Sequence, residues 1–126
     1  MPELKKLSKN IYEIPKTGNM NVPGIVYASE KLLDAIKKDK TLEQVKNVAM
    51  LAGILKASIA LSDAHQGYGA CIGGVAAFDV ERGIISPGLV GYDINCSVRI
   101  LKTNLKKQDI LKKQKEVVEA LYRKIP

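Results

Sequence analysis

Two short spacings in this 126-residue chain place side chains that can do chemistry side by side. Asp93-x-x-Cys96 sets a hard carboxylate oxygen three residues from a soft thiolate. In a turn both can converge on one cation, which would keep the thiol deprotonated and fix the carboxylate. The same residues also suit an Asp-Asn turn beside a buried cysteine, because Asp and Asn bond their local backbone. Two ligands fall short of the three or four that a protein metal site uses, so any such site needs completion from elsewhere. Asp63-x-His65 is the second spacing. It offers a ligand, a general base or an oriented imidazole, or else a structural histidine. His65 is the sole histidine, so these residues alone build no histidine-based metal site, and an Asp63 that orients a group supplied by another segment is a further alternative.

Both spacings fall within Leu61–Ile100, which concentrates glycine, the histidine and both cysteines. Glycine gives up packing and adds unfolded-state entropy, so a cluster implies backbone conformations or close approaches closed to other residues. The run Gly67-Tyr68-Gly69-Ala70-Cys71-Ile72-Gly73 lacks the Lys-Ser/Thr ending of a phosphate-binding P-loop, and Gly69-x-x-x-Gly73 is no dinucleotide fingerprint. Zinc-finger spacing and an aromatic RNA-binding signature are absent as well. Cys71, among apolar neighbours, reads as a small buried residue.

The elements that must position these residues follow from periodicity. Ile11–Ile14 alternates as a short strand, residues 15–19 read as a turn, and Ile25–Ala28 reads as a second strand. Ser29 suits an N-cap for a helix to Lys38 with Leu32, Leu33 and Ile36 on one face. Thr41 and Gln44 have capping-box spacing for a helix to about Leu51, with Leu42, Val45, Val48 and Ala49 inward and Gly53 as its stop. Strands are expected at Ser58–Leu61, Gly74–Val80, Ile84–Ile85 and Ser97–Leu101, before an amphipathic helix from Lys107 to Lys124. That order predicts an α+β fold of mixed strands, glycine-rich loops and flanking amphipathic helices. Residues 1–126 are expected to form one domain at most, ending on a helix with no stop signal, as a chain cut short would.

The net charge of +7 is uneven. From Lys102 onward eight basic residues face three acids, whereas Asp63, Asp79, Glu81 and Asp93 outnumber Arg82 and Arg99 between Leu61 and Leu101. A basic periphery around an acidic centre suits a polyanion brought to a cation site, and solvated helix faces give the same count. No apolar run approaches the ~20 residues of a membrane span, and the amino terminus lacks a secretory pattern, so no membrane partner and a cytoplasmic location are expected.

In order, Asp63-Ala64-His65-Gln66-Gly67-Tyr68-Gly69, Ile72-Gly73-Gly74-Val75-Ala76-Ala77-Phe78-Asp79, Ile85-Ser86-Pro87-Gly88 and Gly91-Tyr92-Asp93-Ile94-Asn95-Cys96 resemble the amino-terminal region of the RtcB family, archaeal type. The resemblance covers essentially the whole chain. It implies a GTP- and manganese-dependent RNA ligase that joins 2′,3′-cyclic phosphate or 3′-phosphate ends to 5′-hydroxyl ends, as in tRNA splicing and RNA repair. The partners it implies are such RNA ends, tRNA halves among them, with an archaease-type activator. By motif, Asp93 and Cys96 match two ligands of a two-Mn²⁺ site, and Asp63 matches the acidic residue that supports a guanylylated histidine. His65 shares that motif without an assigned role.

The remaining ligands and the guanylylated histidine are implied to lie further along a chain several times longer, so residues 1–126 are expected to be an inactive amino-terminal part. Exposed apolar surface and open strand edges follow from that expectation. Leu89 and Ser97 stand where the family commonly has glycine, and Leu89 is expected to strain its turn. Two other classes fit the residues: a non-catalytic basic RNA-binding or assembly module, marked by steep salt dependence without metal, and a small metal-dependent hydrolase assembled across an oligomer interface.

Overall fold

A computed structural model of the chain describes residues 2–91 and 100–125. The chain divides into two compact units, Met1–Ile94 and Asn95–Pro126. The fold is α+β, as the sequence pattern implies. In the first unit strands β1 (Lys5–Ser8), β2 (Ile11–Ile14), β3 (Gly24–Tyr27), β4 (Ile54–His65) and β5 (Ile72–Phe78) form one sheet in sequential order. Helices α1 (Glu30–Ile36) and α2 (Thr41–Ala49) lie between β3 and β4, and α3 (Pro87–Val90) follows β5.

All neighbours pair antiparallel except β3 and β4. A parallel pair needs a crossover of a dozen or more residues, which is the work α1 and α2 do. Ser29 caps α1 as its spacing implies, its hydroxyl accepting the Leu32 amide at 3.3 Å. Leu33 and Ile36 of α1 are buried, while Leu32 turns partly outward. On α2 Leu42, Val45, Val48 and Ala49 all point into the core, joined there by Tyr12, Ile14, Val26, Ile54 and Ala60 from the sheet. Gly24 makes the close approach possible: a Cβ there would stand 2.8 Å from Val45 Cγ1 and 3.1 Å from Ile14 Cβ.

Four expectations change. β1, rich in exposed lysine and apolar only at Leu7, has no buried face to reveal it in sequence. Ile84–Ile85 is not a strand; it follows a turn over residues 80–82 that Asp79 closes, its Oδ1 accepting the Glu81 and Arg82 amides. The carboxy-terminal helix is two, α4 (Lys107–Lys112) and α5 (Gln114–Lys124), parted where Lys113 leaves helical geometry at φ −130°. Leu89 is unstrained, since it lies inside α3 against the core and Lys56 is the sole non-glycine with positive φ among the described residues. The predicted strand at Ser97–Leu101 lies mostly outside the described residues, and Ile100 and Leu101 are not in a strand.

Candidate functional site

The Asp63–Gly69 motif runs off the end of β4. After an irregularity between Leu55 and Ser58 the β4–β5 ladder runs in register from Ser58↔Ala76 to Ala60↔Gly74 and resumes at His65↔Ile72, so five steps along β4 oppose two along β5. Residues 61–64 therefore bulge out of register, and Asp63 sits within the bulge. Its carboxylate lies over Gly73, where a Cβ would stand 2.7 Å from Asp63 Oδ1 and 3.1 Å from the Ala64 backbone. Gly73 also has φ +71°, in the left-handed region that favours glycine, so both its geometry and its neighbour exclude a side chain. His65 Nδ1 lies 3.0 Å from the Asp63 carbonyl oxygen. A carbonyl only accepts, so that nitrogen carries the proton and the ring is held over its own strand.

Beyond His65 the loop is tied to the amino end of α2. Gln44 Nε2 donates to the Gly67 carbonyl at 2.8 Å, and Gln44 Oε1 accepts the Gly67 amide at 3.0 Å. Asp39 Oδ2 accepts the Gln66 amide at 3.0 Å, while its Oδ1 accepts the Thr41 amide at 2.8 Å. Gln66 Oε1 accepts the Lys40 amide at 3.3 Å. The expected capping box is thus replaced: Lys40 is the N-cap, with no side-chain cap bond, and Gln44 is turned to the loop. Partial burial pushes the Asp39 carboxyl up. The Thr41 side chain, the Thr41 and Gln66 amides and nearby His65 outweigh it and hold the group below the usual carboxylate range. The two amide bonds carry that effect, because buried Thr41 Oγ1 meets no partner in hydrogen-bond geometry.

Sequence reasoning passed over Asp39 and gave Gln44 a capping role in place of its bonds to the loop. An Asp two residues before a helix that starts at Thr41 is the available signal, since Asp readily accepts an amide two positions on. Nearby, a cleft of about 250 Å³ is lined by Val48, Ser58, Ala70, Cys71, Phe78 and Leu89 among others. Cys71 is buried as expected, and burial pushes its thiol up, away from the reactive thiolate form.

Residues 44–126 match the family model described as tRNA-splicing ligase RtcB. The chain belongs to the RtcB family. A tRNA-splicing ligase RtcB of Thermococcus kodakarensis is 55% identical over 127 aligned positions, covering 100% of this chain and 26% of that relative. Its counterpart in Aeropyrum pernix is 51% identical over 97% of this chain and 26% of its own length. The Pyrococcus horikoshii protein is 63% identical over 94 residues, 74% of this chain and 11% of that relative. The chain thus spans about a quarter of the first of these relatives.

The RtcB match includes Asp63, Gln44, Asp93 and Cys96. Asp93 and Cys96, the expected metal ligands, lie outside the described residues. Among the described residues no three His, Cys, Asp or Glu side chains gather as a cation site. No helix among them is long and apolar enough to cross a membrane.

Proposed function

We propose that residues 1–126 are the amino-terminal part of a single RtcB-type catalytic domain, acting in the cytoplasm. Complete, it joins RNA 2′,3′-cyclic phosphate or 3′-phosphate ends to 5′-hydroxyl ends, tRNA halves included, using GTP and Mn²⁺. An archaease-type protein is the proposed activator. The observation that carries the reading is the RtcB match through the segment holding Asp63, Asp93 and Cys96, at about half identity to tRNA-splicing ligases.

In this reading Asp93 and Cys96 supply two ligands of the metal site, and histidines beyond this chain supply the rest. Manganese there would neutralise phosphate charge and position the reacting oxygens. An oxygen and a thiolate are a usable, if mixed, donor pair for it, since Mn²⁺ favours oxygen and imidazole. Asp63 accepts a hydrogen bond from the nucleotide-carrying histidine and so fixes that ring's orientation. Its placement over Gly73, with no side chain in the way, leaves the carboxylate exposed for that contact.

The test joins this chain to the carboxy-terminal three quarters of the Thermococcus relative and assays ligation of RNA with 2′,3′-cyclic phosphate and 5′-hydroxyl ends. Joining that requires both GTP and Mn²⁺, and falls at least about a hundredfold in Asp63→Ala, is expected. Joining independent of GTP, or unaffected by Asp63→Ala, overturns the reading. Salt-sensitive RNA binding without any joining would favour the binding module instead, for which the exposed lysines of α4 and α5 are suited.

A further inference from the structure

The sheet does not by itself place Asp63. The last regular pair before it is Ala60↔Gly74, and the next, His65↔Ile72, comes after four β4 residues, 61–64, set against Gly73 alone on β5. A bulge of that size is a soft element unless both its ends are held. One end is held by buried Ala60 in the core. The other is followed at once by Gln66 and Gly67, whose backbone groups are bonded by side chains from the α1–α2 connection and α2.

We propose that Asp39 and Gln44 are positioning residues that clamp Gln66 and Gly67 and thereby set the Asp63 carboxylate for its role. The inference rests on the functional reading above for what Asp63 does, and on geometry alone for where Asp63 is held.

Gln44 makes the pair of bonds with Gly67 that a neighbouring strand would make, donating to its carbonyl and accepting from its amide. It is 7% exposed, so neither bond is readily exchanged for water. Asp39 divides its two oxygens between the helix and the loop, one on the Thr41 amide and one on the Gln66 amide. The loop returns a bond through Gln66 Oε1 to the Lys40 amide, at the start of α2. Helix end and motif are therefore each other's caps. A displacement of α2 along its axis is transmitted to residues 66–67 and, through His65 and its bond to the Asp63 carbonyl, to the bulge.

The test uses the 126-residue chain with Asp39→Asn and Gln44→Met. Asn offers one acceptor oxygen in place of two, and Met keeps the length of Gln without its bonds. Amide exchange at Gln66 and Gly67 is expected to quicken about tenfold or more in each, with core amides such as those of Val26 and Val45 unchanged. The Asp63 carboxyl carbon resonance is expected to move in both. Movement in Gln44→Met matters most, because no charge is altered there. Unchanged exchange at 66–67 in folded variants overturns the clamp. Quickened exchange with a stationary Asp63 resonance reduces both residues to helix caps and overturns the positioning role. Should Gln44→Met fail to fold, largely exposed Asp39→Asn decides by the same two readouts.

Joined to the relative's carboxy-terminal region, both variants are expected to lose about tenfold in kcat with KM for RNA within about twofold. A rise in KM at constant kcat contradicts a role through Asp63. If the unsubstituted joined chain does not ligate, the functional reading fails, and exchange with the Asp63 resonance still decides the clamp.

Discussion

Helices α2 and α5 carry the same kind of pattern, an apolar stripe with charged residues on the opposite face, and meet different fates. On α2 the stripe of Leu42, Val45, Val48 and Ala49 lies against the sheet and is wholly buried. On α5 Val118 and Leu121 are 57% and 52% exposed, and none of its residues is buried. Among the described residues of its own unit, six-residue α4 lies beside it. Amphipathicity thus states that a face needs a partner and not where the partner is. In α2 it is supplied by β3 and β4, which the chain itself returns across the helix. A face such as that of α5 is what a chain spanning a quarter of its relatives would present to the remainder.

That contrast breaks most readily at the core. Leu42→Ala is expected to cost the first unit about 2–5 kcal/mol, while Leu121→Ala should change the stability of this chain by less than about 0.5 kcal/mol. Urea titrations of the two variants check it, and equal losses would mean that α5 has a buried partner. Gly73→Ala comes next. Its positive φ and the 2.7 Å approach to Asp63 Oδ1 predict a cost of about 1–3 kcal/mol and a displaced Asp63. Gly88→Ala, which meets nothing within 4 Å, should be neutral in the same urea titrations.

Ser29→Ala removes the hydroxyl that accepts the Leu32 amide and should cost about 1 kcal/mol by chemical denaturation. Lys113→Ala, between α4 and α5 where no side-chain cap bond exists, should leave the melt unmoved.

The smallest effect is with pH. The folded-state Asp39 carboxyl titrates below its ordinary 3.8. Its contribution is therefore fully present above that value and is lost as pH falls through the lower, folded-state one. Protection of the Gln66 amide from exchange should fall over that window, and Asp39→Asn should remove the dependence. A midpoint above 3.8 would contradict the assigned bonds.

The sequence carries the fold class, the α1 cap and the inward face of α2 because each rests on local periodicity or on a side chain bonding its neighbours. β4 and β5 are longer or shifted against the strands expected at Ser58–Leu61 and Gly74–Val80, since exposed ends such as Asp63 and His65 break the apolar pattern that marks a strand. β1 is illegible for the same reason. The site divides likewise. Asp63, Asp93 and Cys96 stand out by type and spacing. Asp39 and Gln44 reach residues 27 and 23 positions away, and no local pattern encodes a bond of that separation. Thr41 and Gln44 had the right spacing for a capping box, but a buried glutamine has more to gain from two unpaired loop groups than from one exposed helix amide.

Manganese binding tests the central claim most directly. Calorimetric titration of Mn²⁺ would compare this chain and Cys96→Ala, each with and without the carboxy-terminal region of the Thermococcus relative. The RtcB reading predicts tight binding only in the completed protein, abolished by Cys96→Ala. Tight Cys96-dependent binding to residues 1–126 alone, or binding to the completed protein that survives Cys96→Ala, would contradict it.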